Sequence, residues 1–168
     1  MKKILMIIAG LIILQQAVHS QVKWLTIEQA MDLNKKKPKP FFIDLYTDWC
    51  GWCKRMDATT FAHPVIAEML NTNFHPVKFN AESAKTLVFN GNTFVSEGRT
   101  HQFAIALLQG QLSYPSFAFL DAKQQLLTSV PGYRTAPQME PVLAYISSGA
   151  YLKQNFETFS ASYKSKIQ

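Results

Sequence analysis

Cys50 and Cys53 are the only two cysteines in the chain, set two residues apart in Trp49-Cys50-Gly51-Trp52-Cys53-Lys54. That spacing brings both sulfurs within bonding reach on the first turn of a helix. A helix N-terminus offers free N–H groups and partial positive charge, and both favour thiolate over thiol. The chemistry this predicts is thiol–disulfide exchange. Cys50 is the exposed nucleophile with a lowered pKa, and Cys53, one turn deeper, resolves the mixed disulfide and releases the partner. Other uses of the pair compete with this one. A structural bridge across so short a loop removes little unfolded-state entropy. A zinc site needs four ligands, and only His63 lies nearby in sequence. A copper(I) carrier needs only two thiolates and stays open as an alternative.

The pair must be held by elements on either side. Phe41 to Tyr46 is a compact apolar run bounded by prolines and the cysteine motif, which predicts a buried central strand with Asp44 inside it. Cys50 to Ala58 reads as a helix, with Thr47 and Asp48 as capping candidates. Pro64 suits the first turn of a further helix, whose apolar face is Val65, Ile66, Met69 and Leu70. Phe74 to Phe79 reads as a second strand that begins irregularly at Pro76.

Upstream, Thr26 and Gln29 form a capping box before a short amphipathic helix. It is ended by Lys35-Lys36-Lys37-Pro38-Lys39-Pro40, a solvated loop with nothing beside it that suggests nucleic-acid reading. Downstream, Leu87-Val88-Phe89 and Thr93-Phe94-Val95 flank Asn90-Gly91-Asn92 as a hairpin. A short helix around Phe103 to Leu108 closes at Gly110. Strands follow at Ser116 to Leu120 and Leu126 to Val130, then a helix over Pro137 to Ile146. Tyr151, Phe156, Phe159 and Tyr163 predict one aromatic-rich terminal helix that packs on the core. This order predicts a mixed sheet with helices on both faces.

The 168 residues are 48% hydrophobic and 17% charged, which fits one domain with a real core and excludes a wholly disordered chain. Lys2 and Lys3, the apolar run Ile4 to Leu14, and Val18 and Ser20 at −3 and −1 predict a cleaved signal peptide over residues 1–20. A retained membrane anchor is the alternative, but the run is short of the ~20 residues a spanning helix needs. Removing 20 of the 168 residues leaves 148, and losing Lys2 and Lys3 takes the formal charge from +6 to +4. An exported chain with one adjacent cysteine pair is held by its core, which frees the pair for redox work.

The sequence resembles the thioredoxin superfamily over about Phe41 to Ile146. The resemblance rests on Asp-Trp-Cys-Gly-Trp-Cys-Lys at 48–54, on Asp44 six residues before Cys50, and on Lys78 in Val77-Lys78-Phe79-Asn80. Tyr114-Pro115-Ser116 before a hydrophobic strand and Gly132 after the last strand complete it. It is similar above all to exported bacterial thioredoxin-like proteins and to the C-terminal domain of the membrane thiol–disulfide interchange protein. The implied fold is α/β and thioredoxin-like: a central mixed sheet flanked by helices, a signal peptide over 1–20, a domain over 21–168, an insertion over 82–110 and a C-terminal helical extension over 150–168.

The resemblance also implies roles. Asp44 is a buried carboxyl, raised in pKa by desolvation, that accepts or relays the Cys53 proton, with Lys78 as its counter-charge. Pro115 is cis and sets the Tyr114 backbone beside the cysteines to pair with a partner chain. Trp49, Gly51 and Trp52 form the substrate-facing rim. Trp52 stands where thioredoxin has proline and disulfide isomerases have histidine, which leaves redox direction open. The insertion either shapes partner choice or caps the sheet edge. With the signal peptide, the reading is an exported, monomeric protein-disulfide reductase, periplasmic or alternatively secreted, with no metal and no cofactor besides the Cys50–Cys53 disulfide. It acts on protein disulfide or thiol clients and draws electrons from a membrane donor. An oxidase or isomerase, and a non-catalytic binding protein, are the alternatives.

Overall fold

The computed structural model describes residues 21–167, so the expected signal peptide lies outside the described residues. Four strands form the central sheet: β1 (Phe41–Tyr46), β2 (His75–Asn80), β7 (Ser116–Leu120) and β8 (Leu126–Pro131). Their order is β2-β1-β7-β8. β1 runs parallel to β2 and antiparallel to β7, and β7 antiparallel to β8, which makes the sheet mixed.

Side chains alternate across the sheet, so each strand supplies two cores. Phe41, Ile43 and Leu45 of β1 and Ala118 and Leu120 of β7 face one cluster. The helices α1 (Ile27–Lys36) and α4 (Gln102–Leu107) cover it. Phe42, Phe117 and Phe119 face the other, under α2 (Gly51–Ala58), α3 (Pro64–Asn73) and α5 (Ala136–Ser147). Phe42 is fully buried, with rings of Trp24, Phe61, Phe74, Phe117 and Phe119 within 6.4 Å of its own. Each such side chain contributes about 1.5–3 kcal/mol on burial. α1 opens with the capping box of Thr26 and Gln29.

Residues 82–110 hold two small hairpins and α4. In the first, β3 (Leu87–Phe89) and β4 (Asn92–Phe94), only Asn90 and Gly91 turn the chain, both at positive φ, as a type I′ turn requires. The second, β5 (Ser96–Glu97) and β6 (Thr100–His101), is a feature the sequence reading did not contain. Leu87, Phe89, Phe103 and Leu107 sink into the first core, so this segment covers a sheet face.

Two expectations are corrected. The helix after β1 begins at Gly51 with Cys50 as its cap, in place of Thr47 or Asp48. Thr47 is buried and its carbonyl accepts the Cys50 N–H, while Asp48 accepts a hydrogen bond from Asn80. The C-terminal aromatics do not share one helix. A single 3-10 turn, Ala150–Leu152, is separated from α6 (Phe156–Ser162) by Asn155, whose side chain caps the new helix by accepting the Thr158 N–H. Beyond α6 the chain folds back on Glu140, a fully buried carboxylate of α5 that accepts from Tyr163, Ser165 and the backbone N–H groups of Lys166 and Ile167.

Candidate redox site

β1 delivers the chain to the sheet's end and α2 starts after four intervening residues, which puts the cysteine pair at a strand–helix junction. Cys50 and Cys53 form a disulfide with Sγ atoms 2.08 Å apart and Cα atoms 5.3 Å apart. Cys50 occupies the cap position, and its Sγ accepts the Cys53 N–H at 3.1 Å. A first-turn N–H aimed at this sulfur is the contact that favours its thiolate. Cys50 was expected to be exposed, but both cysteines are buried, at 3% and 4% exposure. Among the described residues, no group of three or more His, Cys, Asp or Glu side chains could hold a metal ion.

Trp49 and Trp52 are the exposed aromatic residues of the motif, at 62% and 57%. The Trp49 indole N–H donates to Glu82 at 3.1 Å, and its ring packs edge-on against Tyr114. Trp52 packs on Tyr133, ring centroids 5.0 Å apart, and the Arg55 guanidinium lies over the Trp52 ring, 5.7 Å from its centre. A Cβ built on Gly51 would meet nothing within 4 Å, so this glycine leaves open space beside Cys50. The Tyr114–Pro115 peptide bond is cis, and the Pro115 carbonyl accepts the Gly132 N–H at 2.8 Å.

Asp44 faces Lys78 because the two are register partners on neighbouring strands. The Lys78 Nζ is 3.2 Å from Asp44 Oδ2 and also pairs with Asp57 at the end of α2. It sits among the rings of Trp24, Tyr46 and Phe61, 5.0–5.8 Å from their centres. Burial pushes the Asp44 carboxyl up to about 7, against the pull of Lys78 and with the negative charge of Asp57 adding to the rise.

Sequence reasoning missed Asp57, Glu82 and Tyr133. Asp57 lies four residues after Cys53 on a helix, a spacing that shares a face and was available to be read. Glu82 and Tyr133 reach the motif only through tertiary packing. Glu82 is also 3.7 Å from Arg99 in the β5–β6 hairpin, so the 82–110 segment touches the redox site besides covering the sheet.

Residues 9–142 match the family Thioredox_DsbH, described as a protein of unknown function, DUF255. The thiol:disulfide interchange protein DsbD of Pectobacterium atrosepticum is 27% identical over 137 residues, 79% of this chain and 21% of that protein. The chain spans about a tenth to a fifth of the length of the curated relatives it matches. Among solved structures, one titled DsbH oxidoreductase aligns with a TM-score of 0.53 at 18% identity, over 83% of this chain and 94% of its own. A thioredoxin from Thermus thermophilus aligns with a TM-score of 0.57 at 15% identity, over 76% and 87%. These likenesses establish a thioredoxin fold.

Proposed function

Since the chain belongs to the Thioredox_DsbH family, we propose that it is a thiol:disulfide oxidoreductase that reduces protein disulfides through Cys50 and Cys53. The observation that carries this reading is the disulfide between a helix-capping cysteine and the cysteine one turn on, with Tyr114 of the cis Tyr114–Pro115 pair packed against the neighbouring Trp49. In the reduced protein the Cys50 thiolate attacks a client disulfide, forming a mixed disulfide and expelling one client thiolate. Cys53 loses its proton to the Asp44 carboxylate and attacks the Cys50 sulfur. The second client thiolate leaves as the Cys50–Cys53 bond forms, so the pair gives up the two electrons that the client disulfide gains. Asp44 suits the proton step because burial brings it near 7, where it both takes and gives a proton at neutral pH.

Lys78 keeps Asp44 from being held permanently neutral. Trp49, Gly51, Trp52 and the Tyr114–Pro115 backbone receive the client chain, which adds alongside the cis-proline as an extended segment. The pair is its own redox centre, and the mechanism requires no metal or bound cofactor. We place the protein outside the cytoplasm, in the periplasm, on the basic-then-apolar start of its sequence. It works there as a monomer, recharged by a membrane thiol donor, because a reductase in oxidising surroundings needs an upstream source of electrons.

Insulin-disulfide reduction with dithiothreitol as electron source tests the activity, with Cys50→Ser as control. Turnover lost in Cys50→Ser is the expected result, and background rates in the unaltered protein would sink the reading. A reduction potential near ~−270 mV marks a reductant, and one near ~−120 mV would assign an oxidase instead.

A further inference from the structure

A groove of about 880 Å³ opens between β8, α5 and the C-terminal segment. Leu127, Val130, Pro141, Tyr145, Tyr151 and Phe156 are among its walls. Among the described residues no acidic side chain lines it, and its volume lies within the roughly 300–1,000 Å³ of ligand clefts. β8 is an edge strand of the sheet, and Leu127 and Val130 on it are only half-buried. The 3-10 turn and α6 supply the outer wall: Tyr145 packs against both Tyr151 and Phe156, and its hydroxyl donates to the Gln154 carbonyl at 2.6 Å.

The groove is continuous with the redox site. Tyr133 and Arg134 line its near end, and the Tyr133 ring is the one that packs on Trp52, between the two cysteines. The residue before it, Gly132, donates its N–H to the cis-proline's carbonyl. A polypeptide that crosses the cis-proline and passes Trp52 therefore arrives at the groove without leaving the surface.

We propose that this groove holds an extended apolar segment of the client chain that flanks the client's cysteine, so that the 150–167 segment selects unfolded, apolar disulfide-bearing chains. The proposal rests on the function proposed above for the cysteine pair, and it names the substrate class. Apolar side chains lose water against the groove walls, and the segment lies along an unpaired strand edge that suits extended backbone. Such segments are exposed in a client before it folds and hidden afterwards.

Two measurements test it. The first is NMR titration of the 15N-labelled full chain with a cysteine-free ten-residue peptide bearing Leu, Val and Phe at alternate positions, against a Ser/Gly peptide of equal length. The apolar peptide is expected to shift the amides of Leu127, Val130 and Tyr151, and Leu127→Gln and Tyr151→Ser, each checked by thermal unfolding, to weaken it about tenfold. Equal response to the Ser/Gly peptide, or shifts outside the groove, overturns the proposal. So does concentration-dependent self-association that Leu127→Gln abolishes, since a second copy would then fill the groove. The second measurement compares kcat/KM for a peptide disulfide with an apolar tail and one with a polar tail, where the apolar tail is expected to gain about tenfold and equal rates overturn the idea. A small aromatic disulfide, too short to reach the groove, reports the cysteine pair alone. Failure there condemns the redox reading, while the titration still judges the groove.

Discussion

The Lys78 ammonium sits 3.2 Å from Asp44 Oδ2, while Oδ1 of the same buried carboxyl has no hydrogen-bond partner among the described residues. One oxygen is thus compensated and the other is desolvated without return. Lys78 is further divided between Asp44 and Asp57. This half-satisfied arrangement is why burial outweighs the neighbouring cation and the carboxyl titrates near 7.

Asp44 makes the oxidised protein's stability depend on pH with a definite sign. Its folded pKa, about 7, exceeds the ordinary value of 3.8, so between those values the folded state holds a proton that the unfolded state has lost. Stability therefore falls as pH rises from about 4 to about 7 and then levels. Asp44→Asn removes this dependence, and its stability advantage over the unaltered protein is expected to widen across that window in urea unfolding. The same variant should lengthen the life of the mixed disulfide at pH 7, measured by quenched-flow trapping, because Cys53 has lost its proton acceptor.

Lys78→Met takes away the only cation paired with Asp44 among the described residues and leaves the nearby Asp57 charge in place. The Asp44 carboxyl should rise further above about 7. The alkaline shift is expected in the pH profile of disulfide exchange, and a downward or absent shift would show that Lys78 does not set the proton step.

Glu82 accepts the Trp49 indole N–H and neighbours Arg99. Glu82→Ala frees an exposed rim residue from its one polar anchor. A lost hydrogen bond of about 1 kcal/mol corresponds to about fivefold in KM for a protein disulfide, with kcat little changed. Arg99→Ala leaves the Trp49 bond intact and is expected to have a smaller effect.

Glu140 behaves oppositely to Asp44. Burial pushes its carboxyl up, but donors from Tyr163, Ser165, Lys166 and Ile167 outweigh that and hold it below the usual range. A lowered folded value contributes stability at neutral pH that is lost as pH falls through that value. Glu140→Ala strands those donors and is expected to cost about 1–3 kcal/mol. Amide hydrogen exchange at 166 and 167 should accelerate well before the sheet is affected.

What the sequence made legible was local. The capping box at Thr26, the apolar run at 41–46 and the Asn90-Gly91 turn each carry their conformation in a few adjacent residues. The redox pair was legible for the same reason, since its chemistry needs only a spacing and a helix start. The cap falls elsewhere because Thr47 and Asp48, better formers of caps in isolation, are otherwise engaged: Thr47 is buried with its carbonyl on the Cys50 N–H, and Asn80 donates to Asp48. The β5–β6 hairpin is too short to leave a pattern. Glu82, Tyr133 and the groove depend on segments 30 to 100 residues apart meeting at one end of the sheet, and no window along the chain contains that information.

All three tryptophans of the chain belong to this neighbourhood. Trp49 and Trp52 flank the sulfurs, and Trp24 stacks over the ammonium that pairs with Asp44. Indole emission is quenched by a nearby disulfide and responds to a nearby charge. The protein therefore carries an unlabelled optical gauge of its own state, in which no distant indole dilutes the signal. Reduction of the pair, titration of the buried carboxyl and arrival of a client at the rim should each be visible in its intrinsic fluorescence.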